Sequence, residues 1–279
     1  MILRSFKRVR PRCLADLACF LLVAVFVPVT FIFQVTVVLP ELMELFGFGY
    51  YLLFFIFFIG VFILFNLISN MMACMLVDTS INIELLKPPL DPVQRISWHK
   101  CDDCQAEVPP RCRHCDICQI CVLKRDHHCR FTGCCIGHYN YRYFFFFLLY
   151  LAIGSMISSI MGSIFICLHL DIYWHLSTLL TVFAPAVSLA LNANWMSFYL
   201  LICELSLLSF CTTSLLLVYH SDIFKRGTVV KERGTSRWNL GLHGNSQMVL
   251  GKRMHITWLS PFIRSDLPHN GINWETKED

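Results

Sequence analysis

Positive charge is missing from long stretches of this 279-residue chain. No Lys or Arg occurs between Cys13 and Leu86, and none between Tyr143 and Phe224. Charged residues make up 15% of the whole and hydrophobic residues 56%, where a soluble domain carries about a quarter charged. Blanks this long exclude a soluble globular fold, and the chain reads as an integral membrane protein. The apolar stretches are also poor in recurring polar residues, which argues against a channel or transporter. A clear small-residue cleavage site is lacking as well. The first apolar stretch is too long for a cleaved signal, so it reads as a retained anchor, with Pro28 inside it.

Crossing the hydrocarbon takes about 20 mostly apolar residues as a helix. Four stretches qualify: Leu17 to Leu39, Tyr50 to Val77, Tyr143 to Leu168, and Met196 to Tyr219. A fifth, Leu176 to Leu191, is short and broken by Pro185, and is not counted as a span. Every Lys and Arg falls in one of three clusters: before Cys13, from Lys87 to Arg142, and from Lys225 to Lys277. The connecting loops near Glu41 and Asp171 have none. Cytosolic loops carry the basic excess, so both termini and the central loop are expected in the cytosol, on either side of four crossings. Basic segments that adjoin the membrane suit an anionic leaflet, so the lipid bilayer is the expected partner and nucleic acid is not.

Nine of the 15 cysteines lie between Cys101 and Cys135, in a compartment that keeps thiols reduced. Cysteines crowded in the cytosol bind metal more often than they form disulfides. An internal repeat sorts them. The series Cys101, Cys104, His114, Cys121 recurs fourteen residues later as Cys115, Cys118, His128, Cys135. Each set is three thiolates and one imidazole, a closed tetrahedral arrangement suited to structural zinc. Two interleaved zinc ions would knit the loop in place of a hydrophobic core, and the module should unfold without them.

Cys112, Cys129 and Cys134 are left over. Only Cys129 has a histidine and a carboxylate beside it, in Asp126-His127-His128-Cys129. A thiol needs a neighbouring base to ionise near neutral pH, and the base needs an acceptor to hold its tautomer. His127 and Asp126 fill those roles, as in other Cys-His-acid constellations. A solvated loop with a spare cysteine is the commoner origin of such a cluster taken alone. Its place inside the metal repeat, eight residues before Gly137 and the aromatic run that follows, is what singles it out.

The stretch from Cys101 to Phe144 resembles the cysteine-rich domain of the DHHC palmitoyltransferases, through Pro109, Arg111, His114-Cys115, Asp126 to Cys129, Gly137, Asn140 and Phe144. The resemblance implies an all-α polytopic membrane protein with four transmembrane helices and a small zinc-bound cytosolic module between helices 2 and 3. The expected divisions are residues 1–86 (tail and helices 1 and 2), 87–142 (cysteine-rich domain), 143–224 (helices 3 and 4) and 225–279 (cytosolic tail). It implies a protein S-acyltransferase in which Cys129 takes a fatty acyl group, palmitoyl by the family's name, from acyl-coenzyme A. Membrane-associated proteins with cytosolic cysteines would receive it. Endoplasmic reticulum or Golgi is the implied membrane. The alternative is a zinc-bearing membrane scaffold of the same fold with weak or no catalysis.

The likeness thins outside that stretch. Trp238 to Gly241, Asn245 and Val249 to Gly251 resemble a C-terminal element of the family, in which Asn245 would buttress the fold. The family's Thr-Thr-x-Glu stands here as Val229-Val230-Lys231-Glu232. Its Asp-Pro-Gly after the second span is eroded to Asp78-Thr-Ser or Asp91-Pro-Val. Arg130-Phe131 replaces the Pro-Trp that follows the family's cysteine, and Gly133-Cys134 stands where Asn is common. Lys124, Arg125, Arg130 and Arg142 are candidates for coenzyme A phosphates, though each taken alone reads first as a solvated or interfacial charge. Glu204 in the fourth span reads either as a functional carboxylate or, the favoured reading, as protonated and bonded to a neighbouring helix through Asn66 or Asn70. Cys13 is open to acylation itself.

Overall fold

The computed structural model describes residues 3–83, 86–169, 176–235 and 237–274. Among them, four helices are long and apolar enough to cross a membrane. They are α1 (Leu14–Leu45), α2 (Tyr50–Leu76), α3 (Tyr141–His169) and α6 (Trp195–Arg226). Between the last two lie α4 (Leu176–Phe183) and α5 (Pro185–Leu191), and α7 (Gly241–Leu250) follows in the tail. The protein is thus a multi-pass membrane protein by the length and composition of its helices. Three of the long helices outrun the expected spans and α2 ends one residue short of Val77, because the expected bounds followed the strictly apolar run. A helix carries on past Glu41 or Lys225 when its backbone bonds continue. The loop around Asp171 lies outside the described residues.

The segment 176–191 is not a span, as expected. Proline has no N–H to donate and restricts the residue before it. Ala184 accordingly leaves helical geometry at φ −145°, and two short helices result.

Residue contacts divide the chain into two units. The helical unit comprises residues 24–67 and 148–217. Its core is built by Phe33, Val38, Leu42, Phe165, Ile166, Leu200, Ile202 and Cys203. Phe33 stacks on Tyr199 at 5.0 Å and meets Phe165 edge-on at 6.0 Å. In α1 a π-helical turn spans Gln34–Val38. There the Gln34 amide donates 2.9 Å to Ser158 Oγ, which shares a 3.1 Å hydrogen bond with Ser206. These helices also enclose a cavity of about 380 Å³, lined chiefly by Phe, Ile, Leu and Val side chains with Gln34 and Ser158 on its wall. Along α2, Tyr51, Phe54, Phe55 and Phe58 are exposed, the surface a bilayer covers.

The second unit comprises residues 1–23, 68–147 and 218–279. It contains the cysteine-rich module, the small part of this mostly helical protein that is built from strands. The module is three antiparallel hairpins: β1 (His99–Cys101) with β2 (Ala106–Val108), β3 (Arg113–Cys115) with β4 (Ile120–Val122), and β5 (His127–Cys129) with β6 (Cys134–Ile136). Strands of three residues give no readable alternation, which is why the sequence did not announce them. Nor is the module without apolar packing. Val108, Val122 and Ile136, one from the second strand of each hairpin, are fully buried. Asn140 ties the module to α2 and the start of α3. Its amide donates to Cys74 O at 3.1 Å and Cys135 O at 3.0 Å, and its oxygen accepts from Gly137 N–H at 2.8 Å. Gly137 is glycine by necessity: a Cβ there would lie 2.6 Å from Leu123 O.

Candidate active site and metal centres

The hairpins gather both cysteine-histidine sets. Ligand atoms of Cys101, Cys104, His114 and Cys121 lie within 4.8 Å of one another, and so do those of Cys115, Cys118, His128 and Cys135. In each set the histidine presents Nδ1. The sulfur-to-nitrogen distances run from 3.3 to 3.8 Å around His114 and from 3.2 to 3.8 Å around His128. A tetrahedral zinc with bonds of about 2.3 Å to sulfur and 2.0 Å to nitrogen sets its ligands about 3.5 to 3.8 Å apart. Donor type, number and spacing all fit that ion. Bound there, it would lock the hairpins to one another.

The second set has an outer partner that sequence reasoning missed. Asp16, at the start of α1, is fully buried and accepts a 3.2 Å hydrogen bond from His128 Nε2. A carboxylate behind a ligating imidazole fixes its tautomer and orientation. The one visible signal was an acid at the border of an apolar stretch. Its partner lies 112 residues away, and no local pattern connects them.

Cys129 ends strand β5 with His127 two residues before it, so both side chains lie on one face of the strand. His127 Nδ1 is held 2.7 Å from Asp126 Oδ2. Asp126 is buried, while the His127 side chain keeps 27% of its exposure. Burial pushes the Cys129 thiol up, but its hydrogen bond with His127, that ring's charge, and Thr132 more than offset this and hold it below an ordinary thiol. Burial pushes His127 down. Its hydrogen bonds to Asp126 and Cys129 prevail and raise it to about 9. The arrangement sets a thiol held below its ordinary value beside an imidazole raised above its own, with a carboxylate behind.

Asp126 is itself positioned from the tail. The main-chain N–H of Val230 donates 3.0 Å to Asp126 Oδ1. The donor is backbone, so this contact does not depend on which side chain stands at position 230. Glu232, in the same short turn, grips Arg111 through contacts of 2.6 to 3.1 Å. Arg111 also lies between Trp238 and Trp274, 4.8 and 4.4 Å from their rings. Asn245 bonds Lys225 O, Asn239 Oδ1 and Leu240 N–H, consistent with a buttress.

Other sequence candidates fare differently. Lys124 and Arg142 are buried. Lys124 faces Trp274, and burial with the nearby Arg111 pushes it down to about 7. Arg142 donates to the Tyr143 hydroxyl at 2.6 Å. Neither is a free phosphate contact, whereas Arg130 is exposed beside Cys129. Glu204 is exposed on α6 and Cys13 is exposed before α1. Cys112 and Cys134 are buried thiols outside both sets.

Comparison with known proteins places this geometry in company. Residues 94–234, about half of the chain, match the family described as DHHC palmitoyltransferase. The chain is 37% identical over 183 residues to the "Probable palmitoyltransferase ZDHHC24" of Danio rerio, covering 64% of this chain and 62% of that protein. Its likeness to the Homo sapiens protein of the same description is 35% over 191 residues, 65% of this chain and 66% of the other. Over a shorter stretch of 59 residues it is 63% identical to the "Putative ZDHHC-type palmitoyltransferase 4" of Dictyostelium discoideum, or 21% of this chain and 16% of that one. The chain spans about 62 to 66% of the length of the ZDHHC24 relatives it matches.

Proposed function

The chain belongs to the DHHC palmitoyltransferase family, and from that premise we propose that it is a protein S-acyltransferase working through an acyl-Cys129 intermediate. The observation that carries the reading is the Asp126–His127–Cys129 alignment, with 2.7 Å between Asp126 Oδ2 and His127 Nδ1 and His127 and Cys129 two residues apart on one face of strand β5.

The Cys129 thiolate attacks the carbonyl carbon of a fatty acyl-coenzyme A. The carbon–sulfur bond to coenzyme A breaks, the acyl group stays on Cys129, and the proton held by His127 passes to the departing thiolate. In the second half a substrate cysteine gives its proton to His127 and attacks the new thioester, which restores free Cys129. One thioester replaces another at each step, with no net oxidation. Asp126 keeps His127 in the tautomer that aims Nε2 at the reacting sulfur. Zinc ions held by Cys101, Cys104, His114, Cys121 and by Cys115, Cys118, His128, Cys135 would supply rigidity and no chemistry. Burying a sixteen-carbon tail gains about 0.8 kcal/mol per methylene, and the apolar cavity of the helical unit has the chemistry to take one. Arg130 supports a contact to coenzyme A phosphates. Membrane-associated proteins with cytosolic cysteines are the acceptors this reading implies, in endoplasmic reticulum or Golgi.

The test is acyl labelling of purified, zinc-loaded protein with palmitoyl-coenzyme A. A hydroxylamine-labile label on Cys129, absent from Cys129→Ser while two zinc ions remain, supports the reading. No thioester on folded wild-type protein would leave the membrane scaffold as the better account, with Arg130 and Cys134 the first replacements to examine. Orientation is tested separately. Glycosylation sequons inserted near Glu41 or Asp171 should be modified and one near Asp91 should not; modification at Asp91 overturns a cytosolic module.

A further inference from the structure

The last turns of α6 bring a second imidazole into the site that the chemistry above leaves unused. His220 is buried, with Nδ1 3.2 Å from the Tyr141 hydroxyl and 3.8 Å from Asp126 Oδ2. That carboxylate oxygen is the one that holds His127. The His220 ring lies 5.4 Å from the His127 ring and stands edge-on to Phe144 at 4.8 Å. Phe144 in turn meets His127 at 4.9 Å. Three rings therefore surround one another, with Asp126 at their edge.

We propose that His220 is a positioning residue for acyl transfer, which fixes the plane of the His127 imidazole and the rotation of Asp126. Asp126 is pinned at Oδ1 by the Val230 N–H, but Oδ2 is the oxygen that must stay on His127. At 3.8 Å the His220 nitrogen is beyond hydrogen-bond range of Oδ2. Its bond is to Tyr141, which holds the ring in place. From there it closes the space into which the carboxylate would rotate, while Phe144 and the face of His220 confine the His127 ring. A base displaced by even an ångström loses much of its rate advantage, so a wall of this kind matters although it touches no substrate. Asp126, His127 and His220 are also close enough together to suggest a third metal site. The 2.7 Å contact between Asp126 and His127 argues otherwise, since that is a hydrogen-bond length, shorter than the spacing of two ligands on one zinc.

The inference rests on the acyl-transfer reading for its kinetic measurement, so a second measurement is independent of it. Full-length wild type, His220→Leu and His220→Asn are purified in detergent and their zinc counted. Leucine keeps bulk without polarity, whereas the asparagine amide offers a polar atom near the place of Nδ1. Single-turnover loading from palmitoyl-coenzyme A should slow roughly 10- to 100-fold in His220→Leu, with half-saturation little changed and zinc still two per chain. His220→Asn should recover most of the rate. Alkylation of Cys129 by iodoacetamide, read by peptide mass, should follow the same order. Unchanged loading and alkylation in His220→Leu would overturn the proposal. So would zinc loss in that variant, which marks a merely structural residue, or a third zinc in wild type that His220→Leu lacks. If wild type forms no acyl-enzyme, the transfer reading falls by itself, and the alkylation rates still decide for or against His220.

Discussion

Strands β1, β3 and β5 begin fourteen residues apart, and so do β2, β4 and β6. Each hairpin turns through a residue of positive φ just before its second strand: Gln105 at 50°, Gln119 at 54° and Gly133 at 59°. On this common frame Cys101, Cys115 and Cys129 occupy one position, the last residue of the first strand. The first two are followed three residues later by Cys104 and Cys118, the third by Thr132. Fourteen residues beyond His128 and Cys135 stand Arg142 and Leu149. A third metal set cannot close, and its leading thiol is left over. Around that thiol the matched residues change in kind. Cys112 and Arg113 of the second hairpin become Asp126 and His127 of the third. On the proposed reading, two hairpins whose leading cysteine would bind metal stand against a third that lacks the partner ligands and carries a histidine and a carboxylate beside its cysteine.

The largest effect should separate the two hairpins at their shared position. Cys115→Ser removes a ligand and should take zinc, module and acyl loading together, because structural zinc binding is folding free energy here. Cys129→Ser should abolish loading while zinc content and protease resistance stay at wild-type levels. Equal zinc loss from both variants would break the comparison. His128→Ala should resemble the first variant. His127→Ala, the adjacent residue of the same type, should keep both ions and load roughly 10² to 10⁴ times more slowly. Arg113→Ala, its counterpart one hairpin earlier, should leave the loading rate within twofold, on the order of the scatter for surface changes.

Much of this contrast was legible before any coordinates. The fourteen-residue repeat pointed to both ligand sets because metal ligation constrains residue type and spacing together, and both survive in the bare sequence. The four long helices were legible because lipid excludes charge over a whole helix length. What escaped were contacts made by single residues far apart. Asp16 behind His128, His220 beside Asp126, and Arg111 gripped by Glu232 join positions more than 75 apart. Nor could the sequence reveal that the N–H of Val230, a donor every residue but proline carries, meets Asp126 Oδ1. The hairpins themselves were hidden because three-residue strands have no period to read.

A middle-sized effect should fall on the second metal set alone. Asp16→Asn keeps the shape of the side chain and removes the charge behind His128. Loss of such a partner costs about 10- to 100-fold in metal affinity. In a competition with a chelator, one zinc per chain should leave that variant early and the other should leave as in wild type. Loss of both at the same chelator concentration would show that the two sets release metal as one unit, and would dissolve the distinction between the hairpins at this level.

The smallest effect concerns Thr132, which stands where the other hairpins have their second cysteine. Its hydroxyl lies 3.5 Å from Cys129 O and accepts from Cys134 Sγ at 3.4 Å, and it helps hold the Cys129 thiol low. Thr132→Val preserves the branched shape and deletes the hydroxyl. One neutral hydrogen bond is worth about 0.5 to 1.5 kcal/mol, so loading should slow about two- to tenfold with zinc unchanged. Thr132→Cys restores the two-cysteine pattern of the first two hairpins and so tests what keeps the third free of metal. If the missing ligands at Arg142 and Leu149 are the reason, zinc should remain at two per chain and Cys129 should still accept an acyl group. A third zinc in Thr132→Cys, with loading lost, would mean instead that Thr132 alone stands between a metal knuckle and a nucleophile.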